Sequence, residues 1–506
     1  MLIDVTPLDN GLAVVALSGR LGYASALRNL TEIVADLEAR GRRGILLDHG
    51  KVSRVSMAGL GALIELVARH PQIDFGCCAL PGTMQAALKK SGLDRGLHLY
   101  DSVEAACEDP RFRVRSLRGV RAVLLCAGKG SRVAPLTEVV PKPMLDVAGR
   151  PALQHIMDHL GRFGVREVIL NPGHLGPQII DHIRANPDPD RGVFFAKEGR
   201  GGARNWQSDP IGSASTLRRL HRDHAAFSED VIVLCGDALI DLDMTQMMRA
   251  HRRCGADVTI AALPVPAEEV HKYGMIETGP EGVVHRFVEK PGPGVTDSRL
   301  ANTGIYIFRP EVFDLLPDTT GLDIACDLLP AVMRAGGTVQ VHAAPFSWID
   351  IGCGRDYARA VQLALSGAVP GLVPTGREIR PGVWAAEGAE VSSRARITGP
   401  CHIGAGARVA AGATLEGVCS IGAGAVIEAR SLLRDSIVMP QTRVGPGAWA
   451  EGMILHGDWA VAHARADGTA QSRLPLDGVS PAGDAVIHDL TGTVRDILPQ
   501  EERKSA

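Results

Sequence analysis

The sequence predicts an α/β protein in three units. A doubly wound, mainly parallel sheet occupies the middle, a small α/β domain precedes it, and a left-handed parallel β-helix follows. Three observations carry this reading. Short aliphatic runs alternate with amphipathic stretches through the first two units. One run, Ala122 to Leu125, reads as a buried parallel strand and opens into a glycine turn, Gly128-Lys129-Gly130-Ser131-Arg132. From Ile379 onward, aliphatic residues recur at every sixth position.

The chain has 506 residues, enough for two to four domains. Its net charge of −3 with 22% charged residues gives no global pull toward nucleic acid or an anionic membrane. No segment approaches ~18 consecutive apolar residues, so no membrane span is expected. The start, MLIDVTPLDNGL, lacks the basic and apolar regions of a signal peptide. Ten cysteines are scattered without a C-x-x-C pair, and several fall inside apparent strands. They read as small buried hydrophobes in a reducing cytoplasm.

The first unit spans residues 1–110. Leu12 to Leu17, Gly44 to Leu47 and Gln72 to Cys78 read as strands; Tyr23 to Ala39, Met57 to Arg69 and Met84 to Ser91 read as helices. The segment ILLDHGKVSRVSMAGLGALIEL resembles the STAS domain of anti-sigma-factor antagonists, where a strand and loop precede a Gly-Leu-Gly helix start. Signalling members phosphorylate a Ser or Thr near that helix N-terminus, where negative charge is favoured. Here the position falls on Met57, with Ser53 and Ser56 displaced. The resemblance therefore implies a docking or regulatory module for a protein partner rather than a working phospho-switch. Arg111 to Arg118, RFRVRSLR, reads as a basic linker.

The second unit spans residues 119–366. Glu167 to Asn171, Val231 to Cys235, Val258 to Leu263, Gly304 to Phe308 and Val339 to Ala343 read as strands, with helices such as Ala152 to Phe163 and Thr245 to Cys254 between them. Ligands are expected at the carboxyl ends of such strands. The third unit, residues 376–460, keeps a six-residue clock: Ile379, Ala385, Val391, Ile397, Ile403, Val409, Leu415, Ile421, Ile427, Leu433 and Met439. A slip by one residue is expected near Val444. The end, 464–506, is polar and reads as partly disordered, with a short strand-like Ala485 to Ile487.

The chemistry concentrates between Leu124 and Pro151. Glycines at 128 and 130 let backbone N–H groups face an anion closely. Arg132 adds a planar cation suited to phosphate oxygens. Pro141-Lys142-Pro143 holds a lysine on a stiffened backbone. Two cations and a glycine turn after one strand describe a triphosphate site that also steadies a transition state.

The full run resembles the signature of the sugar-1-phosphate nucleotidylyltransferases, G-x-G-[ST]-R, then P-K-P, then G-x-P, with every fixed position present. The resemblance, strongest to mannose-1-phosphate guanylyltransferase-like proteins, implies that a sugar 1-phosphate attacks the α-phosphorus of a nucleoside triphosphate and expels pyrophosphate. Arg132 and Lys142 are then the catalytic cations. Ala127, Gly128, Gly130 and Ser131 face the nucleotide, together with Gly212 and Ser213 of Ile211-Gly212-Ser213-Ala214-Ser215-Thr216. Asp237, just past the strand VIVLC, and Asp350 of Trp348-Ile349-Asp350-Ile351-Gly352 are the implied Mg²⁺ ligands. Gly274, Glu289, Lys290 and Asn302 are the implied sugar-phosphate residues.

Departures from the family pattern are a serine at 215 in place of a glycine, Cys353-Gly354 after Asp-Ile-Gly, and a long segment, GRGGARNWQSDP, between Glu198 and Ile211. That segment is either a lid carrying Arg200 and Arg204 or a surface insertion. The expected reaction uses GTP and mannose 1-phosphate. The alternatives are thymidylyl or adenylyl transfer to glucose 1-phosphate, or a nucleotide-sugar sensor acting through the first unit. Acyl transfer by the β-helix is disfavoured, since His402 reads as structural or exposed. A homo-oligomer is expected through the β-helix, whose strand edges need cover.

Overall fold

The computed structural model describes residues 2–463, apart from 9–11, 23, 40–41, 43, 71–72, 83–84, 86–87, 89–97, 110–111 and 113–116, and also 474–475, 486–488 and 494–496. Most of the expected helix at 84–91, most of the linker at 111–118 and nearly all of the 464–506 end lie outside the described residues.

The first unit is a five-stranded sheet in the order β1 (Leu2–Pro7), β2 (Leu12–Leu21), β3 (Gly44–Val55), β4 (Asp74–Cys78) and β5 (His98–Tyr100). Only β1 runs antiparallel to its neighbour. The strand at Gly44 runs on through HGKVSRV to Val55, because bulges in its pairing with β2 absorb the polar residues. Alternation divides the burial. Val15, Leu17 and Leu47 pack under α1 (Ala24–Ala39) and α2 (Met57–Arg69). Leu12 and Leu46 pack on the other face with Phe112 and Ala106 of α3 (Val103–Glu108). Phe112, placed in the linker by sequence, is thus core of this unit. Ser56 is the N-cap of α2, accepting from the Gly59 N–H and donating to the Gly22 carbonyl.

The middle sheet follows the order β8-β7-β6-β9-β14-β11-β15. Its strands are β6 (Arg121–Leu125), β7 (Glu167–Leu170), β8 (Gly192–Phe195), β9 (Val231–Cys235), β11 (Val258–Pro264), β14 (Leu300–Phe308) and β15 (Val339–His342). All pair in parallel except β14, which is antiparallel to both neighbours. The hairpin β12 (Met275–Thr278) and β13 (Val284–Val288) joins the sheet at Ala301. Ala122 and Leu124 face one core with α4 (Ala152–Arg162) and α7 (Met244–Cys254), while Val123 faces another with α6 (Ser213–Arg222). Both faces are covered, as near-continuous apolar strands require. Outside this sheet, β10 (Ala238–Ile240) pairs antiparallel with β16 (Trp348–Asp350), and α9 (Gly354–Leu365) leads out of the unit.

The third unit is a parallel β-helix. Its strands stack in three sheets, with Val383 over Cys401 and Cys419, Val391 over Val409 and Ile427, and Ile397 over Leu415 and Leu433. The repeat of eighteen residues is three turns of the six-residue clock. The clock slips earlier than expected. Ile421 stacks on Val438 and Ile427 on Val444, so the missing residue lies between Leu433 and Val438. Met439 therefore leaves the interior and contacts Tyr357 of α9. It joins Ile437, Trp459, Tyr357 and Leu145 in one apolar cluster shared with the middle unit. One sheet begins with the antiparallel strand Arg377–Arg380 and ends with the antiparallel strands Trp459–Ala462 and Leu474–Pro475, which cover its edges from within the chain.

Candidate active site

The site begins where two neighbouring strands end. Leu125 of β6 lies opposite Cys235 of β9, so the glycine turn and Gly236-Asp237 leave the sheet side by side. The short β10–β16 ladder supplies the second carboxylate: Ala238 pairs with Asp350. Two aspartates remote in sequence are thereby brought to one place by backbone pairing.

Lys142 stands between them. Its Nζ lies 2.5 Å from Asp237 Oδ2 and 3.3 Å from Asp350 Oδ1. The residue is 8% exposed, in a single 3₁₀ turn, Lys142–Met144, entered from Pro141. It is a buried ion-paired cation, not a loop lysine. Burial alone pushes its ammonium down, but Asp237 and Asp350 outweigh that and hold it well above the usual lysine range. Burial, joined by the Asp237 charge, holds the Asp350 carboxyl above the usual carboxylate range against the pull of Lys142. Arg132 is exposed at the rim, on the 3₁₀ turn Ser131–Val133, close enough to lower Asp350 by its charge.

A cleft of about 460 Å³ opens here. Ala127, Gly128, Gly130, Ser131, Arg132, Lys142, Gly212, Ser213 and Asp237 all line it. A Cβ on Gly128 would meet nothing within 4 Å, so that backbone is open to a ligand. Gly212, at φ 93°, is required for a different reason: a Cβ there would collide with the Leu322 carbonyl. Ser213 donates to Asp323 (2.8 Å) and accepts from the Ile324 N–H. Ser215 is buried and turned to the 319–322 segment, donating to Thr319 O and accepting from Leu322 N. The serine that departs from the family pattern is absorbed there and does not line the cleft.

Asn171 and Glu198 also line the cleft, and the sequence reading missed both. The Asn171 amide accepts from the Cys126 N–H and donates to Glu198 (3.0 Å). Glu198, 2% exposed, also accepts from Thr216 Oγ1 and the Ile211 N–H. This brace ties the end of β6 to the start of α6 across the cleft. A signal existed: Asn171 ends a predicted strand, where ligand-facing residues are expected.

The four residues that the family pattern offers for the sugar phosphate form a second group. Asn302 N donates to Gly274 O (2.8 Å), and a Cβ on Gly274 would sit 2.7 Å from Glu289 Oε2. Glycine at 274 makes room for Glu289 and for Phe287. Lys290 pairs with Glu289 at 2.9 Å. The Asn302 side chain donates to Tyr306 Oη and accepts from the Gly304 N–H. None of these four lines the 460 Å³ cleft. Tyr273, beside Gly274, meets Trp348 with ring centroids 5.0 Å apart and planes tilted by 56°. Trp348 lies in the same strand as Asp350.

The 199–210 segment folds as a hairpin, with Gly199–Arg200 paired to Gln207–Ser208. The Trp206 indole donates to Gly173 O (2.6 Å), and Arg200 pairs with Asp209 (3.6 Å). Pro210 at its base reaches the cleft. His402 is fully buried, with Nε2 2.8 Å from Thr375 Oγ1. It sits at the junction of units, a structural position.

Residues 121–367 match the nucleotidyl transferase family and residues 5–106 match the STAS domain. The chain is 33% identical over 345 residues to a UTP–glucose-1-phosphate uridylyltransferase of Synechocystis, covering 68% of this chain and 88% of that protein. It is 30% identical over 262 residues to a mannose-1-phosphate guanylyltransferase catalytic subunit beta of Drosophila pseudoobscura, covering 51% and 66%. It is 28% identical over 285 residues to a putative mannose-1-phosphate guanyltransferase of Sulfolobus acidocaldarius, covering 56% and 71%. No helix among the described residues is long and apolar enough to cross a membrane. The extent of the first likeness, laid over a cleft of this composition, decides the matter: the chain belongs to the sugar-1-phosphate nucleotidylyltransferases of the nucleotidyl transferase family, with a STAS domain in front.

Proposed function

We propose that the chain joins GTP and mannose 1-phosphate into a GDP-sugar, releasing pyrophosphate. The observation that carries the site assignment is Lys142 held between Asp237 and Asp350 at the cleft. The sugar phosphate is already an anionic nucleophile, so no strong base is needed. The demand is to bring two anions together and neutralise the phosphates. Lys142 and Arg132 meet that demand with charge. The glycine turn meets it with backbone N–H groups around Ala127, Gly128, Gly130 and Ser131. Glu289 and Asn302 accept and donate to sugar hydroxyls, Lys290 meets the sugar phosphate, and Gly274 keeps the wall thin.

Asp237 and Asp350 offer hard carboxylate oxygens, which suit Mg²⁺. Two carboxylates would leave the remaining positions to phosphate oxygens. When bound, Mg²⁺ would supply further charge neutralisation on the triphosphate.

The likeness to the mannose-1-phosphate guanylyltransferases of Drosophila pseudoobscura and Sulfolobus acidocaldarius supports this reading of GTP and mannose 1-phosphate. The likeness to the Synechocystis protein favours uridylyl transfer to glucose 1-phosphate as a second reading. The test is pyrophosphate release over a matrix of nucleoside triphosphates and sugar 1-phosphates. Activity greatest with GTP and mannose 1-phosphate supports the first reading; activity greatest with UTP and glucose 1-phosphate replaces it. The free cysteines suit a reducing cytoplasm, the β-helix a homo-oligomer, and the STAS domain a regulatory protein partner.

A further inference from the structure

The start of α6 is fastened to a remote segment by a row of hydrogen bonds. Residues 211–215 and 319–324 lie more than a hundred residues apart in sequence. Gly321 N donates to Ile211 O (2.6 Å), and Ala214 N donates to Leu322 O (3.0 Å). Two hydroxyls add to this backbone pairing. Ser215 Oγ donates to Thr319 O (3.2 Å) and accepts from Leu322 N (3.1 Å). Ser213 Oγ donates to Asp323 Oδ2 (2.8 Å) and accepts from Ile324 N (3.0 Å). Each serine thus uses both a donor and an acceptor on the same partner segment. The family pattern has glycine at 215, so two of these bonds belong to this chain's own sequence.

The partner segment leads into an irregular turn. The Asp323 carbonyl accepts from Leu328 N (3.1 Å), five residues on, and Ile324–Leu328 form one π turn. Such turns are rare and cluster at functional sites. Asp323 Oδ1 caps this one, accepting from Ala325 N (2.8 Å) and Cys326 N (3.2 Å). One carboxylate therefore divides its oxygens. Oδ1 holds the π turn, and Oδ2 holds Ser213.

The π turn neighbours the residues offered for the sugar phosphate. Burial above all pushes the Tyr306 hydroxyl up, and the charges of Asp323 and Glu289 add to it. Asn302 donates to that same hydroxyl. Partial burial likewise raises the Cys326 thiol, with Asp323 and Glu289 adding and Lys290 opposing. On the other side, Ser213 lines the 460 Å³ cleft, whereas Ser215 and Asp323 do not. Asp323 thus stands between a wall of the nucleotide cleft and the Glu289–Lys290–Asn302 group.

We propose that Ser215 and Asp323 are positioning residues that latch the Gly212–Ser213 wall of the nucleotide cleft to the π turn beside the sugar-phosphate residues, and so set the approach of one substrate to the other. The proposal rests on the transferase reading, though not on which nucleotide or sugar is used. Each residue acts through another, Ser215 through Leu322 and Asp323 through Ser213. The physical need is alignment. Reacting atoms must be held about 3–3.5 Å apart, and a misplacement of ~1 Å costs about 10²-fold in rate. Walls drawn from remote segments hold such a distance only if they are fastened together.

The test is steady-state pyrophosphate release by full-length Ser215→Ala and Asp323→Ser, with the substrate pair that wild type turns over fastest. Ser215→Ala removes both hydroxyl bonds. Asp323→Ser keeps a capping oxygen for the π turn but is too short to reach Ser213 as well. Each should lower kcat at least ~10-fold while both KM values stay within about 3-fold. Asp323→Asn, which has a group for each partner, should keep most of the wild-type kcat. Calorimetry confirms that the variants fold; if Ser215→Ala does not, Asp323→Ser decides alone, since Asp323 is exposed. Wild-type kcat in the folded variants overturns the proposal. So does a loss confined to the nucleotide KM, because the latch then only builds a wall. An Asp323→Asn loss as deep as that of Asp323→Ser also overturns it, because charge rather than the latch then matters. Wild type that turns over no substrate pair overturns the transferase reading and this proposal with it. An inactive Lys142→Ala beside unimpaired Ser215→Ala and Asp323→Ser leaves that reading standing and removes this proposal alone.

Discussion

Removing the Lys142 ammonium should expose a repulsion that the fold otherwise hides. In Lys142→Ala, Asp237 and Asp350 would face each other without a cation. Each has an oxygen within hydrogen-bond or ion-pair reach of Nζ, which puts those oxygens within about 6 Å of each other. At an effective dielectric near 20, two like charges at that separation repel by about 3 kcal/mol. Breaking a buried ion pair by deleting one partner costs ~3–5 kcal/mol, so the two routes agree. For a unit of this size, about 3 kcal/mol corresponds to roughly 6–12 °C in Tm. The assay is scanning calorimetry in EDTA and again in Mg²⁺. In EDTA the variant should melt lower than wild type by that amount. Mg²⁺ at ~100 times its Kd adds about 2.7 kcal/mol, which nearly offsets the loss, because the ion takes the place of the ammonium. Turnover should still fall by at least ~10²-fold, since a charge-stabilising donor is gone. A variant that melts with wild type in EDTA, or whose loss Mg²⁺ leaves untouched, would refute the reasoning. Full turnover would remove Lys142 from the reaction.

Arg132 provides the contrast: it is exposed, so Arg132→Ala should lower turnover by at least ~10²-fold in the pyrophosphate assay with Tm unchanged. Asp237→Asn and Asp350→Asn should each raise the Mg²⁺ concentration for half activity, and EDTA should abolish activity; a magnesium titration in which either variant tracks wild type would reject that ligand. Burial pushes the Asp146 carboxyl up to about 6, against the pull of the Gly149 N–H. The folded value lies above the unfolded one, so the charged form costs stability at neutral pH. That cost disappears as pH falls from about 7 to about 4. Asp146→Asn keeps an acceptor for Gly149 and should stabilise by up to about 3 kcal/mol at pH 7.5 but not near pH 4, as read from denaturant titrations. Deleting residues 1–116 should leave a folded, active transferase. Deleting from Gly371 onward should lower the Tm of the remainder, because it uncovers the cluster around Tyr357 and Leu145. Calorimetry on both truncations checks this.

The strand positions and several residues that line the cleft were legible for a physical reason. Glycine turns, strand ends and a proline-flanked lysine act through backbone geometry, and backbone geometry is written locally. Gly128, Gly130, Arg132 and Lys142 reach the cleft that way. What was illegible depends on long-range pairing. That Lys142 is buried follows only from the β10–β16 ladder, which brings Asp350 to it. The Asn171–Glu198 brace was missed for the same reason: its partners, Cys126 on one side and Ile211 and Thr216 on the other, come from two segments remote in sequence. The family pattern pointed to Gly274, Glu289, Lys290 and Asn302, and the fold does gather them near one another. They stand apart from the 460 Å³ cleft, none of them lining it.

The slip in the six-residue clock shows how a local irregularity sets domain architecture. A strict repeat would put every sixth aliphatic inward and leave an outer surface of small and charged residues. Dropping one residue between Leu433 and Val438 keeps Val438 in the lumen and turns Ile437 and Met439 outward. Those two side chains would be exposed apolar surface on a free β-helix. Here they are buried against Tyr357, with Trp459 and Val461 from the terminal hairpin completing the contact. Tyr357 in turn donates to the backbone of Asp146, four residues beyond Lys142. The β-helix is therefore not an appendage on the transferase. It supplies one wall of the core that supports the Pro-Lys-Pro turn.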